Sequence, residues 1–420
     1  MLERYFYQPK TIDRIRANWF GSSIEKYVEW MEREGYSARN VYRRVPLLCH
    51  FGDFARENGA QTLEQAALLV EAFAQLWVFE HPPSSGSLPA RSKVMEEARN
   101  PVNQMFRLVL PTHVGGGRHA KPDPFRNDVP GFFPYLREER GLKPSTIYQY
   151  RYCLARFSDF LSRQGIRSLT EISPATLSAF VVEVAPALSL NTRRGLCSEM
   201  KVFLRYCHRE KILTSALEDA VEMPQTYRLD SLPRAIGWDD VRKMLEQVDR
   251  RTAKGKRDFA ILLLLVTYGL RAHEVSALTL DDVDWERDRL LVPERKAGHS
   301  TAYPLAGVIG KALMDYLQHG RPKTDDRHLF FRVLAPKVPI GSDAIASSVA
   351  LYLHKAGIVV PRAGAHTLRH TCVQHLVDAD FPFKIIGDYV GHRSPSSTAI
   401  YAKIATEALR EVAMGDGEAL

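Results

Sequence analysis

The sequence has 420 residues, 45% of them hydrophobic, and a formal net charge of +8, which leaves room for roughly two to four packed domains and suits a polyanionic partner such as nucleic acid. The opening stretch MLERYFYQPKTIDRIR carries charge where a secretory signal needs an apolar centre, and the longest apolar run, Phe259 to Val266, is far too short to cross a bilayer. Cys49, Cys153, Cys197, Cys207 and Cys372 are scattered with no C-x-x-C pair, a pattern of buried thiols in a reducing cytosol rather than a disulfide framework.

In chain order, residues 1–20 read as a lead-in segment rich in aromatics and arginines. From Ser22 the pattern turns helical: SSIEKYVEWMEREG places Ile24, Tyr27, Val28 and Met31 on one stripe, with Ser22 or Ser23 as N-cap and Gly35 as C-cap. A second helix follows over SARNVYRRVPLLCHFGDFARENG, where Pro46 is expected to kink it or mark its first turn. Leu63 to Phe79 reads as a third helix, HPPSSGSLPAR as a loop, and Arg91 to Leu110 as a fourth helix interrupted near Pro101. The stretch 111–131 is rich in glycine, proline and charge and reads as a linker. No strand precedes its triple glycine and no GK[ST] follows, so a phosphate loop is not expected there.

Residues 129–170 look like a second version of the first helical stretch. Shifted by 106 positions, Gly35 falls on Gly141, Tyr42 on Tyr148, Leu48 on Leu154, Phe51 on Phe157, Asp53 on Asp159, Phe54 on Phe160, Gly59 on Gly165 and Leu63 on Leu169. Two amphipathic helix pairs of similar composition are the plainer alternative. Glycines at one separation with aromatics in register between them favour an internal repeat. The first copy would then bury Phe51 and Phe54 and turn Arg39, Arg43, Arg44 and Arg56 outward. Such a face suits a second phosphate-binding surface; the rival is a protein partner.

Helices are expected over 132–140, 145–164, 174–184 and 190–210, with a short one at 215–221. Residues 223–240 read as a second linker, ending where Asp239 and Asp240 enter the first turn of a helix. Lys256 to Tyr268 reads as a buried helix ended by Gly269, followed by a short helix from Glu274 to Leu278. Leu280–Trp285, Leu290–Pro293 and Thr301–Pro304 read as a small antiparallel sheet. Helices follow over 307–319, 342–356, 367–379 and 383–389, and a last one carries Tyr401 to about Met414. In that last segment Ala405, Leu409, Val412 and Ala413 share a stripe that needs a partner surface.

The chemistry-bearing residues gather toward the C-terminus. TYGLRAHEVSAL holds Arg271 and Glu274 three apart; LLVPERKAGHSTAYPL places Lys296 at a hairpin turn; AHTLRH holds His366 and Arg369 three apart; GHRSPSST carries His392, and Tyr401 follows nine residues on. Residues three apart on a helix share a face, so each pair can address one target. Singly these pieces are weak: Arg271 and Glu274 could be a surface ion pair, Arg295 adjoins Lys296, and Tyr401 could be a core aromatic. His366 and His370 stand four apart as helical zinc ligands do, but the H-E-x-x-H glutamate is missing and no metal is expected.

Together, in this order, these residues resemble the tyrosine recombinase (phage integrase) family, whose pattern is G-L-R-x-x-E on a helix, a lysine on a β-hairpin, H-x-x-R, a second histidine or tryptophan, and a tyrosine. The resemblance implies that Tyr401 is the nucleophile on a DNA phosphodiester. Its unperturbed pKa of ~10 demands a base or strong positive charge nearby. Arg271 and Arg369 would neutralise charge on the non-bridging oxygens; His366 would be the base, Lys296 the general acid on the leaving 5′-oxygen, His392 a hydrogen-bond donor to the phosphate, and Glu274 a brace for the arginines. Tyr352 and Tyr389 do not follow a G-H loop at the right distance and are not expected to react. No metal and no nucleotide cofactor is implied.

The resemblance also implies a fold class, mainly α with a small antiparallel β-sheet. The expected parts are an additional N-terminal helical domain over 1–120, a helical core-binding (SAM-like) domain over 121–225 and an integrase-type catalytic domain over 232–420. In the core-binding part Lys143, Arg151, Arg156, Arg193, Arg194, Lys201 and Arg205 are candidate backbone contacts to DNA, positioning without reading sequence. The implied activity is site-specific recombination through a 3′-phosphotyrosyl intermediate, by a tetramer on inverted-repeat core sites of double-stranded DNA, passing through a Holliday junction. The expected setting is the bacterial cytoplasm on a mobile element, with sister recombinases or accessory factors as further partners. A type IB topoisomerase-like relaxing enzyme shares the chemistry, and a catalytically inactive DNA-binding regulator shares the fold. The helical domain ahead of the catalytic one favours the recombinase over the first, and the complete residue set speaks against the second.

Overall fold

A computed structural model describes residues 1–83, 87–111, 113, 123–225, 235–293 and 300–391. The chain divides into two compact units, one of Met1–Pro111 and Ser231–Leu420 and one of Thr112–Asp230. The described residues are mostly helical with one small antiparallel sheet, as the sequence leads one to expect.

The first 111 residues contain α1 (Pro9–Ala17), α2 (Gly21–Arg33), α3 (Ala38–Glu57), α4 (Leu63–Leu68), α5 (Val70–Glu80) and α6 (Leu88–Val109). The stripe Ile24, Tyr27, Val28 and Met31 on α2 is fully buried, each such side chain contributing ~1.5–3 kcal/mol. The expected lead-in is instead part of this core: α1 buries Ile12 and Ile15, and Leu2 and Phe20 are fully enclosed. Neither proline breaks its helix. Pro46 and Pro101 lie inside α3 and α6, which run through them. An interior proline costs ~3 kcal/mol, and apolar packing on both sides, by Val45, Leu47 and Leu48 in α3 and by Val102 and Met105 in α6, offsets it. The third expected helix is two, with a break at Leu69 that the apolar spacing does not announce.

The second unit contains α7 (Phe132–Pro134), which continues as a π-helical stretch Tyr135–Glu139, then α8 (Pro144–Arg163), α9 (Pro174–Val184) and α10 (Leu190–Arg209). Local chemistry sets the starts of the last two. Ser173 and Thr176 form a reciprocal capping box on α9, and the Ser189 hydroxyl accepts from the Thr192 N–H on α10. The core is aromatic: Phe132, Phe157, Phe160, Phe180 and Phe203 are all buried.

The remainder of the larger unit contains α11 (Trp238–Glu246), α12 (Ala253–Tyr268), α13 (Ala272–Ala277), β1 (Val283–Asp284), β2 (Arg289–Val292), β3 (Thr301–Pro304), α14 (Gly307–His319), α15 (Ser342–Lys355), α16 (Ala365–Asp378) and α17 (Phe383–Val390). The strands are antiparallel in the order β1-β2-β3, with Leu290 opposite Tyr303 and Val292 opposite Thr301. The first strand is shorter than expected. The Asp282 carboxylate accepts from both the N–H and the hydroxyl of Thr279, at 2.7 and 2.8 Å, and pulls Leu280–Asp282 into a 3-10 turn. α12 is enclosed, with Leu262, Leu264 and Leu265 fully buried. At its start the fully buried Asp258 carboxylate accepts from Arg257 Nη2 at 2.6 Å, Lys254 Nζ at 2.5 Å and the Tyr352 hydroxyl at 3.0 Å. A charge so far from water survives only with partners of this kind. The turn expected to carry Lys296 joins β2 to β3 and lies outside the described residues.

In the second unit, burial pushes the Glu199 carboxyl up to about 7, against a smaller downward pull from the Cys153 thiol. The folded state therefore holds this proton where the unfolded chain, at about 4.3, has released it. Stability from this group is complete below that lower value and is lost as pH rises through about 7. Glu199→Gln is expected to flatten the fall in melting temperature over that interval; an unchanged pH profile of the melt would show that Glu199 does not set it.

Candidate active site

The site begins at a chain reversal. α12 ends in Gly269, at φ +59°, a left-handed conformation in which a side chain is strained. Space forbids one as well: a Cβ there would meet Val390 Cγ1 at 3.0 Å and the Cys372 sulfur at 3.2 Å. The glycine lets α17 and α16 close on the end of α12 and turns the next residues, Leu270 and Arg271, back toward them.

Arg271 occupies the N-cap position of α13. Its Nη1 donates to Glu274 Oε1 and its backbone N–H to Glu274 Oε2, each at 2.8 Å. Glu274 is 5% exposed, so this is a desolvated two-point brace rather than a surface pair, and a charge-assisted one. The other arm of the guanidinium, Nη2, donates to the Gly391 carbonyl at 3.1 Å. Arg369, 4% exposed on α16, reaches across to the same reversal, and its Nη1 donates to the Gly269 carbonyl at 2.5 Å. Each guanidinium is thus tied to a glycine carbonyl, Arg271 to that of Gly391 and Arg369 to that of Gly269.

His366 stands one turn before Arg369 at the start of α16. Its imidazole is held below the ordinary histidine range, first by burial and then by the charges of Arg369, Arg271 and His273. That set brings together Arg271, His366 and Arg369 as the motif spacing leads one to expect, and adds His273, which sequence reasoning missed. Its only signal was its place between Arg271 and Glu274. Tyr352 and Tyr389 are engaged elsewhere, the first with Asp258 and the second donating to the Thr267 carbonyl at 3.0 Å. Lys296, His392, Tyr401 and the stripe from Ala405 to Ala413 lie outside the described residues. Gly391, which accepts from Arg271, immediately precedes His392.

The basic candidates of the second unit differ in what they touch. Arg151 Nε donates to Asp123 at 2.5 Å, Arg156 lies over the Tyr152 ring, and Arg193 Nε donates to the Leu188 carbonyl at 3.0 Å. Arg205 is 3.7 Å from Glu218, Lys143 sits at the N-cap of α8, Arg194 is exposed and Lys201 half-buried, both on α10.

Comparison with known proteins decides what this arrangement belongs to. The Phage integrase family matches residues 235–408, and the family's N-terminal SAM-like domain matches residues 129–211. The "Putative integrase/recombinase y4rA" of Sinorhizobium fredii (strain NBRC 101917 / NGR234) is 35% identical over 93% of this chain and 93% of its own length. The chain belongs to the tyrosine recombinase (phage integrase) family. It is a recombinase-type enzyme of site-specific DNA cleavage and rejoining. Tyrosine recombinase XerC of Bacillus subtilis (strain 168) is 27% identical over 69% of the recombinase chain and 95% of its own. The fold is shared with the XerH site-specific recombinase bound to its difH substrate in a pre-cleavage complex, at TM-score 0.52 and 18% identity over 83% of this chain and 95% of that one. It is shared equally with a lambda integrase (75–356) dimer bound to a COC′ core site, at TM-score 0.52 and 16% identity over 66% of this chain and 94% of that one.

A lowered His366 pKa leaves the ring neutral, and able to take a proton, at pH 7. Single-turnover cleavage by the recombinase is therefore expected to hold level as pH falls toward the ordinary imidazole value of about 6.5 and to drop only below it. An acid limb at or above that value would show that His366 is not held neutral by its surroundings.

Proposed function

We propose that this recombinase exchanges DNA strands through a 3′-phosphotyrosyl intermediate, with Tyr401 as nucleophile. The observation that carries the reading is the pair of guanidiniums, Arg271 and Arg369, anchored on the Gly391 and Gly269 carbonyls, with the charges of both acting on His366. Fixed donors of this kind cost no reorganisation when charge grows on the non-bridging oxygens of a phosphodiester. In the step proposed, the Tyr401 oxygen attacks phosphorus and its proton passes to His366. The bond from phosphorus to the 5′-oxygen breaks, and that oxygen leaves with a proton from Lys296. His392 donates to the phosphate and Glu274 holds Arg271 in place. The reverse attack by a 5′-hydroxyl rejoins the strand, so no external energy source enters.

In this reading residues 121–225 grip the duplex as a core-binding domain through Lys143, Arg151, Arg156, Arg193, Arg194, Lys201 and Arg205, residues 232–420 form the catalytic domain, and residues 1–120 are a further helical domain. Four chains assemble on two inverted-repeat core sites and pass through a Holliday junction, the stripe from Ala405 to Ala413 docking on a neighbour. The setting is the bacterial cytoplasm, on a mobile element, and sister recombinases or accessory factors are further partners. Among the described residues no helix is long and apolar enough to cross a membrane.

Tyr401→Phe removes one oxygen and is expected to abolish the SDS-resistant protein–DNA adduct on a nicked suicide substrate while leaving duplex binding within about twofold, since a binding change of that size is only ~0.4 kcal/mol. An adduct that persists would move the nucleophile elsewhere. Relaxation of plasmid without site preference by the unmodified protein would favour the topoisomerase-like alternative.

Lys296→Ala is expected to slow cleavage of ordinary DNA by roughly 100-fold or more, the range of a missing general acid, and to be rescued by a substrate with a 5′-bridging sulfur, which leaves without protonation. Rescue of Arg295→Ala and not of Lys296→Ala would transfer the role to the neighbour.

A further inference from the structure

Two stretches of this chain, in different units, follow one plan. α3 and α8 are each 20 residues long and begin 106 positions apart. Gly35 and Gly141 precede them and Gly59 and Gly165 follow them, all four at positive φ. The chain leaves both helices by the same bond, Ala60 N–H to the Ala55 carbonyl and Ile166 N–H to the Leu161 carbonyl, each 3.0 Å. The next turn is capped by the Thr62 hydroxyl in one and the Ser168 hydroxyl in the other. α5 and α9 are each 11 residues long, and α6 and α10 each start after a serine, Ser87 and Ser189.

The cores agree as well as the trace. The Phe51 and Phe54 rings lie 5.1 and 5.5 Å from Phe73; those of Phe157 and Phe160 lie 5.0 and 5.4 Å from Phe180. Phe20 bridges Phe51 and Phe106 at 5.5 and 5.7 Å, as Phe125 bridges Phe157 and Phe203 at 6.0 and 5.2 Å. Similar composition makes similar helices, but it does not make the same rings meet across helices distant in sequence.

The surfaces do not agree. With α3 laid on α8, Ser37 stands for Lys143, the fully buried Val45 for Arg151 and His50 for Arg156. With α6 laid on α10 in the register of the core, Phe106 on Phe203, Glu96 stands for Arg193, Glu97 for Arg194, Gln104 for Lys201 and Leu108 for Arg205. Arg99 on α6 is itself engaged, its guanidinium held by Glu71 at 2.5 Å and Glu96 at 2.7 Å. Nor is Arg44 available to a phosphate, since its Nη1 donates to the Tyr27 hydroxyl and to Gln104 Oε1 at 2.8 and 2.9 Å. The face of α3 is also covered in part, although Tyr42 stays 45% exposed. Asn18 Nδ2 donates to the Cys49 carbonyl and to Asp53 Oδ1 at 3.1 and 2.9 Å, and the Phe6 ring meets Tyr42 edge-on at 5.8 Å. On α8 the counterpart of Tyr42, Tyr148, is 55% exposed, and the counterpart of the fully buried Val45 is Arg151, which is half-buried.

We propose that residues 1–111 are a second copy of the core-binding fold whose duplex-gripping face is partly covered by the segment Met1–Asn18 and lacks cations at the positions matching Lys143, Arg151, Arg156, Arg193, Arg194, Lys201 and Arg205, so that each chain grips DNA with one core-binding unit and not two. This rests on the reading of residues 121–225 as the unit that grips the duplex, and it replaces the expected second phosphate-binding surface on Arg39, Arg43, Arg44 and Arg56.

The test uses the full chain and two sets of exposed substitutions, with equilibrium binding to a linear duplex measured across salt concentration. One set is Arg39→Ala, Arg43→Ala and Arg56→Ala; the other is Lys143→Ala, Arg194→Ala and Arg205→Ala. Removing one cation that pairs with a DNA phosphate lowers the slope of log K against log salt by about 0.9. The second set is expected to weaken binding and lower the slope by about 1.8 or more, the effect of two such cations, and the first to change neither. A slope lowered by about 0.9 or more in the first set overturns the inference. No change in the second set overturns instead the reading of residues 121–225 on which it rests.

Discussion

The catalytic part of this recombinase depends on the reversal at Gly269. One residue in a left-handed conformation, with no room for a Cβ, ends a buried helix and lets two further helices close on its end. Its carbonyl takes Arg369, and two residues later the chain presents Arg271. The two guanidiniums are consequently placed by backbone and not by long flexible stems. That matters for a reaction whose catalysis is charge stabilisation, because a donor held in place in advance needs no rearrangement as the transition state forms.

Behind the reversal stands an enclosed helix with a charge in it. Asp258 is fully buried and accepts from a guanidinium, an ammonium and a phenol. Its partners come from α12 itself and from α15, so the network fixes one helix against the other where apolar packing alone would tolerate several rotations. Removing one partner would leave an uncompensated buried charge, the costly half of such an arrangement. Glu274 repeats the device on a smaller scale: it is buried because Arg271 is there, and Arg271 is oriented because Glu274 is buried.

The helical stretches 1–111 and 123–225 separate two things that usually travel together. Core positions, caps and chain reversals are held in common between them, while the outward positions are not. A buried phenylalanine touches many neighbours and cannot change alone, since replacing it by alanine costs ~3–5 kcal/mol. A surface lysine touches water and changes at little cost. A fold can therefore persist in a chain after the charge pattern that suited it to a polyanion has gone.

The sequence by itself determined the family, the helical character, the small sheet and the grouping of Arg271, His366 and Arg369, because these rest on local spacing: three residues make most of a helical turn, and alternation makes a strand. It also announced Gly269 as a helix end. What it did not reveal were effects that arise only between elements distant along the chain. The lead-in of residues 1–20 is a packed helix because Ile12 and Ile15 find a core made by later helices, and Pro46 and Pro101 sit inside unbroken helices because packing outweighs their local cost. His273 is among the charges that hold the His366 imidazole below its ordinary range, and no motif spacing announced it. Arg44 read as an outward cation and is half-buried, tied to Tyr27 and Gln104, since a face inferred from periodicity carries no information on which neighbour covers it. Local spacing determined which side chains share a face; only the tertiary structure decided what each face meets.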